Sequence, residues 1–217
     1  MKNVLVLCDS PWHPAEVIEL GLAPLEGDEF HFVFVRAAKD ILTPARIAEY
    51  PLILCCKGNS VTEANNAPWF EDGVTEVGPK EFEAYVKAGG GFLAVHAGTI
   101  GKKDTPYGQL IGCEFNGHPP RCGVEVRITG KHPITEGVEA RFDIRDEHYQ
   151  TQITADDATE LFRTVSESGG EQAGGYVRTL GSGRMCVMTP GHTVDVWYHK
   201  AFKKLLVNAM RWCLGAD

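Results

Sequence analysis

Four short segments of the chain are apolar at nearly every position: residues 3–8 (NVLVLC), 30–35 (FHFVFV), 51–56 (PLILCC) and 92–95 (FLAV). A strand with one face in water alternates apolar and polar residues, whereas a continuously apolar strand must be buried on both faces. Segments with helical spacing lie between them. Residues 14–22 place Val17, Ile18 and Leu20 to Leu22 on one side, with Pro14 where a missing N–H costs nothing. Residues 43–49 open with Thr43, a capping residue, followed by Pro44. Residues 79–88 gather Phe82, Tyr85 and Val86 on one face and stop at Gly89-Gly90-Gly91. This alternation predicts a mostly parallel sheet with helices on both faces.

The second half is less regular. Residues 123–128 (GVEVRI) alternate like a half-exposed strand, and 142–144 and 160–165 read as short strands. Residues 174–179 and 183–189 read as two strands joined at Gly181-Ser182-Gly183. Residues 200–214 form a closing helix, with Phe202, Leu205, Leu206, Ala209, Met210 and Cys213 at three-four spacing. No repeat and no Pro- or Ser-rich linker interrupts the 217 residues. The expectation is a single three-layer α/β domain over 1–217, with strand insertions in its second half.

Composition excludes several functions. Twenty-nine acidic against 21 basic residues leave a formal charge of −8, with no basic run. Such a surface attracts neither nucleic-acid phosphates nor anionic lipid. No apolar stretch approaches the roughly 18 residues of a membrane helix, and the first apolar run is too short for a signal peptide. A cytoplasmic location is expected. The seven cysteines are odd in number and include no CxxC; Cys8, Cys55, Cys56 and Cys186 sit in strand-like runs. That is the pattern of reduced, buried thiols.

Eight histidines remain. In open parallel sheets, ligands bind beyond the carboxyl ends of the strands. Those ends are followed by Asp9-Ser10-Pro11-Trp12-His13, Lys57-Gly58-Asn59-Ser60, His96-Ala97-Gly98-Thr99 and Pro190-Gly191-His192-Thr193-Val194-Asp195. Three of these four loops carry a histidine, so His13, His96 and His192 are expected on one edge. Residues 89–98 (GGGFLAVHAG) have the small flanking residues of a strand-to-helix elbow, with His96 at its apex. Serine- or cysteine-type hydrolysis is disfavoured there; the alternative is that His96 merely caps the next helix or bonds across the sheet.

Asp146-Glu147-His148-Tyr149 is a second cluster. In extended chain, Glu147 and Tyr149 share one side and Asp146 and His148 the other. A carboxylate and a phenol on one face suit a metal, an oriented histidine or a sugar hydroxyl; a solvated turn is the plainer alternative. His118 lies in a Gly- and Pro-rich loop able to cover a pocket. His31, His132 and His148 read as structural or peripheral. Gly89–Gly91 lacks the Gly-Lys-Ser/Thr of a phosphate loop, so no nucleotide cofactor is expected.

Four motifs taken in order, GGGFLAVHAG, the His132-Pro133-Ile134 step, DEHY at 146–149 and PGHTVDVWYHKAFKKLLVNAMRW at 190–212, resemble the trehalose-utilisation (ThuA-like) family over most of the chain. The resemblance implies a flavodoxin-like, class I glutamine amidotransferase-like fold. In amidotransferases of that fold a Cys occupies the elbow apex and a His follows a late strand; here His96 matches the first position and His192 the second. The resemblance therefore implies no glutamine hydrolysis. The family is associated with trehalose and related disaccharides, often beside dehydrogenases that make 3-keto sugars.

Two readings stay open. One is an enzyme acting on a disaccharide or keto-sugar, with His96, His192, Glu147 and Tyr149 as catalytic groups. In its metal version His13, His96, Glu147 and His192 ligate a divalent ion such as zinc or manganese; without metal, a His and Glu147 move a proton beside a carbonyl. The other is a sugar-binding or scaffold module that has lost catalysis. Trp12, His118, Asp195 and Trp197 are expected at the substrate, with Asp195 orienting His192 or His199. His199 is expected either near the site or as a cap of the final helix. Trp69 is expected at an interface between copies of a homo-oligomer.

Overall fold

The computed structural model describes residues 1–10, 12–27, 29–59 and 68–216, except for the side chain of residue 40. In chain order the elements are β1 (Lys2–Leu7), α1 (Ala15–Leu22), β2 (Phe30–Val35), α2 (Ala38–Ile41), α3 (Pro44–Ala48), β3 (Leu52–Cys55), α4 (Pro79–Lys87) and β4 (Gly91–Val95). There follow α5 (Pro106–Ile111), β5 (Cys113–Phe115), β6 (Cys122–Ile128), β7 (Arg141–Asp146), β8 (Thr151–Ile153), β9 (Thr159–Ser166), β10 (Gly170–Leu180), β11 (Gly183–Met188), α6 (Val194–Tyr198) and α7 (Lys200–Cys213).

Nine strands form one sheet in the order β2-β1-β3-β4-β11-β10-β9-β6-β7. The strands from β2 to β11 run parallel; from β11 outward each neighbour is antiparallel. The fold is α/β, and its sheet is mixed. Alternate residues of one strand feed two cores: Val4, Val6 and Cys8 pack under α1, α6 and α7, while Leu5 and Leu7 pack under α4 and α5. That two-sided burial is why β1 is apolar throughout.

Local chemistry sets the helix ends. Thr43 Oγ1 accepts from the Arg46 amide at the start of α3. At the start of α4, Glu81 reaches back to the Gly78 amide at 2.9 Å. β10 carries register shifts between Ala173 and Tyr176, where a Cβ on Gly174 or Gly175 would meet the Phe162 ring. Such bulges bend and twist a strand. Asp146, at the end of edge strand β7, accepts from the Gly191 amide beyond β11, at 2.7 Å.

Among the described residues all seven cysteines are free thiols, six of them buried. Burial pushes Cys8 and Cys213 up to about 12 and Cys113 up to about 11. Thiols held this far above neutrality carry no thiolate for nucleophilic chemistry. Among the described residues, no helix is long and apolar enough to cross a membrane.

Candidate functional site: a histidine and glutamate centre

His13, His96 and His192 follow the carboxyl ends of β1, β4 and β11, which point the same way in the sheet. Their rings form a near-regular triangle, with centroids 5.0, 5.2 and 5.3 Å apart. Glu147 enters from the antiparallel half. Its Oε2 lies 3.1 Å from His192 Nδ1, 3.4 Å from His96 Nε2, 3.6 Å from His118 Nε2 and 4.0 Å from His13 Nε2. The alternation expected of the 146–149 strip is present. Glu147 and Tyr149 face the imidazoles: the Tyr149 ring stacks on His96 at 4.1 Å, and its hydroxyl is 3.2 Å from His13 Nε2. Asp146 accepts from the Gly191 and His192 amides, and His148 bonds Ser166 and Thr164 hydroxyls.

His96 sits at φ +48°, a left-handed backbone that side chains other than glycine seldom adopt. It ends β4 and opens a 3₁₀ turn over His96–Thr99, so the elbow is present with an imidazole at its apex. Two close contacts make the turn tight. A Cβ on Gly98 would overlap the Cys55 carbonyl oxygen, and the Tyr107 hydroxyl donates to the Gly98 carbonyl at 2.6 Å. His13 is presented by paired backbone bonds between Ser10 and His13. Behind them Asp9 is left-handed at φ +77°, and Lys57 Nζ donates to its carbonyl at 2.6 Å.

Outer hydrogen bonds orient the rings. His96 Nδ1 is 2.9 Å from the Thr189 carbonyl, and His118 Nδ1 is 2.9 Å from the Pro119 carbonyl. A carbonyl only accepts, so each Nδ1 carries the proton and each Nε2 turns a lone pair toward Glu147. Ser10 Oγ stands 3.2 Å from His13 Nδ1 in the equivalent place. A backbone or hydroxyl partner on the far nitrogen is the usual support of a metal-ligating histidine.

Burial disfavours the charged form of His13, and the adjoining His96 and His192 add to this, taking it down to about 3. Burial opposes ionisation of Glu147 as well, but the hydrogen bond from His192 and the pull of the neighbouring imidazoles outweigh that and hold it well below the usual carboxylate range. Burial raises the Tyr149 phenol well above its ordinary value, so it remains a donor. The His13 shift has a sign. Between about 3 and the 6.5 of a free imidazole, the unfolded chain binds a proton here that the folded chain does not. The metal-free protein should therefore lose stability as pH falls through that window. The drop in urea midpoint from pH 7.5 to pH 4.5 is expected to be smaller in His13→Gln than in the parent; equal drops would refute it.

Other expected site residues lie elsewhere or act differently. Trp197 is wholly buried, donates from Nε1 to the Gly191 carbonyl at 2.8 Å and packs against Gly21. It has no face for a sugar and supports the loop instead. Asp195 is exposed in the first turn of α6 and bonds neither His192 nor His199. His199 precedes α7 and stacks on Phe142 at 4.9 Å, away from the centre. Trp69 is 2% exposed and packs with Phe70, Phe82 and Tyr107, so it is core rather than interface. Trp12, beside His13, is 63% exposed. His118 is exposed, and its ring stacks on Tyr149 at 5.5 Å. Pro11, Ser60 and the Asn65-Asn66 turn lie outside the described residues. Asp146, Ser10 and the Thr189 carbonyl had no assigned role in the sequence, because each acts on a residue distant in the chain or through its backbone.

The profile of the family described as ThuA, trehalose utilisation, matches residues 9–213. The chain belongs to this family. Among solved structures, a ThuA-like protein from Bacteroides uniformis is 20% identical, with a TM-score of 0.74 over 98% of this chain and 91% of that one. Another from Parabacteroides merdae is 16% identical, at 0.71 over 99% and 91%. A glutamine amidotransferase from Thermotoga maritima is 13% identical, at 0.66 over 99% of each chain. At these identities the likeness concerns the fold. Among curated proteins, none matches the sequence. In this ThuA-family chain the elbow apex is an imidazole, and the group His13, His96, Glu147 and His192 around it includes no cysteine, although Cys56 lines the cavity beside it.

Proposed function

We propose that the protein is a carbohydrate-processing enzyme of the trehalose-utilisation type, acting on a disaccharide or keto-sugar at a divalent-cation centre built from His13, His96, Glu147 and His192. One observation carries the reading: four donors from four separate loops lie within 4.8 Å of one another. A tetrahedral shell with bonds of about 2.1 Å sets its donors about 3.4 Å apart, and the spacings here bracket that value. One carboxylate offsets half of a dipositive charge, three neutral imidazoles add lone pairs, and nitrogen with oxygen suits zinc or manganese.

A cation there supplies Lewis acidity toward a sugar oxygen and lowers the pKa of a bound water. The chain's own groups do the rest. Glu147 keeps the pocket anionic. Tyr149, held protonated by burial, donates to an oxygen that gains charge. The cavity lined by His13, His96 and His192 has a volume of about 10 Å³, room for about one water. A sugar must therefore lie across the outer face, between the exposed Trp12 and His118. The apex imidazole cannot form the thioester of an amidotransferase, so the reading excludes glutamine hydrolysis.

Protein purified without a histidine tag is expected to carry close to one zinc or manganese per chain by elemental analysis and to turn over a trehalose-type disaccharide or its 3-keto derivative. A protein that stays metal-free after dialysis against both ions would remove the cation centre. Sugar binding without turnover would favour a module that has lost catalysis. Trp12→Ala is expected to weaken sugar binding about tenfold, near 1.4 kcal/mol, with metal content unchanged. Unaltered sugar affinity would remove Trp12 from the site.

A further inference from the structure

We infer that Asp146 and Trp197 are positioning residues that clamp Gly191 from two sides and so set the His192 ring against Glu147. The inference rests on the cation centre proposed above.

Gly191 has a φ of +140°, and a Cβ there would meet Val95 Cγ1 at 3.1 Å and His96 Cβ at 3.2 Å. Glycine is needed at this position, and glycine by itself leaves a backbone loose. Both polar groups of Gly191 are nevertheless held. Its amide donates to Asp146 Oδ2 at 2.7 Å, and its carbonyl accepts from Trp197 Nε1 at 2.8 Å. The next amide, that of His192, donates to Asp146 Oδ1 at 3.0 Å. Both carboxylate oxygens are thus spent on two successive amides of one loop.

Asp146 immediately precedes Glu147. A single buried carboxylate, 1% exposed, therefore ties the strand end that carries one proposed ligand to the loop that carries another. The two ligand side chains meet at 3.1 Å. A buried carboxylate is costly unless its oxygens are bonded, and mere filling of this space would need no charge. The indole that completes the clamp is itself fixed. A Cβ on Gly21 would lie 2.6 Å from Trp197 Cβ and Cγ, so α1 is pressed against it.

Full-length Asp146→Asn and Trp197→Phe, titrated with Co²⁺ and followed by visible absorption, test the clamp. An amide accepts at one oxygen only, and phenylalanine donates nothing. Asp146→Asn is expected to bind Co²⁺ about 10- to 100-fold more weakly, the usual scale for outer partners of metal ligands, with altered visible bands. Trp197→Phe is expected to shift both readouts in the same direction by a smaller factor, and it carries the test should Asp146→Asn fail to fold. Tyr85→Phe removes a hydroxyl that donates to the Tyr50 and Gly91 carbonyls, away from the centre. It is expected to lower the melting temperature and leave the cobalt spectrum untouched, which separates positioning from stability alone. Parent-like affinity and bands in the folded variants would overturn the inference while leaving the centre in place. A parent protein that binds no Co²⁺ would overturn the centre and the inference together.

Discussion

His96→Ala is expected to abolish turnover of the sugar substrate and to lower divalent-cation affinity by more than about 100-fold, beyond the effect of losing an outer partner. The residue combines three properties that no other member of the cluster shares. It is almost fully buried, its far nitrogen is fixed by the Thr189 carbonyl, and it occupies the left-handed apex between β4 and the following turn. The truncation leaves that buried carbonyl without its donor, a cost of about 1–3 kcal/mol. The variant should therefore fold with a modestly lower melting temperature. Circular dichroism, elemental analysis and a turnover assay together check this, and full activity in a folded His96→Ala would sink the assignment.

Gly98→Ala should cost much stability for a single added methyl group. The added carbon would overlap the Cys55 carbonyl oxygen and press on the carbonyl carbon behind it. Neither β3 nor the elbow can yield without breaking strand pairing or moving His96. Overpacking of this kind costs about 3 kcal/mol, read as a shift in the urea midpoint, and it should weaken cation binding too because the apex moves. Gly123→Ala is the control. Nothing lies within 4 Å of its Cβ position, so its effect should stay within about 0.5 kcal/mol. Equal stabilities for the two variants would mean that the elbow is not tight.

The parallel half of the fold was legible because burial on both faces writes itself into composition: NVLVLC and LILCC are short, continuously apolar runs between helical segments, which suits a strand buried on both faces. The capping Thr43 and the long helix α7 were legible for equally local reasons. The three-residue strands β5 and β8, CEF and TQI, were not, because pairing across a distant loop defines them rather than any period of their own. The five- and six-residue helices α6 and α5 are too short to show one.

At the site, strand ends pointed to His13, His96 and His192, and period-two alternation put Glu147 beside Tyr149. Two tryptophans were misplaced by their neighbours in the chain. Trp197 lies near Asp195 and His199, and Trp69 follows what reads as a turn at Asn65-Asn66, so the one reads as a ligand contact and the other as an interface; only packing shows that both face inward. The clamp of Asp146 on Gly191 spans 45 positions and uses backbone amides, which carry no residue identity to read.

The place of β11 in the sheet bears on how the molecule comes into being. It is the last strand in the chain, yet it lies between β4 and β10. Until residues 183–188 are made, the inner edge of β4 has no neighbour, and an open apolar strand edge invites pairing with other chains. The same late strand delivers His192. Nascent chains released before this point would have neither a closed sheet nor His192. Ordering of the centre and closure of the sheet are in this sense one event, and the time a nascent chain spends exposed to aggregation is set by the synthesis of the stretch between β4 and β11.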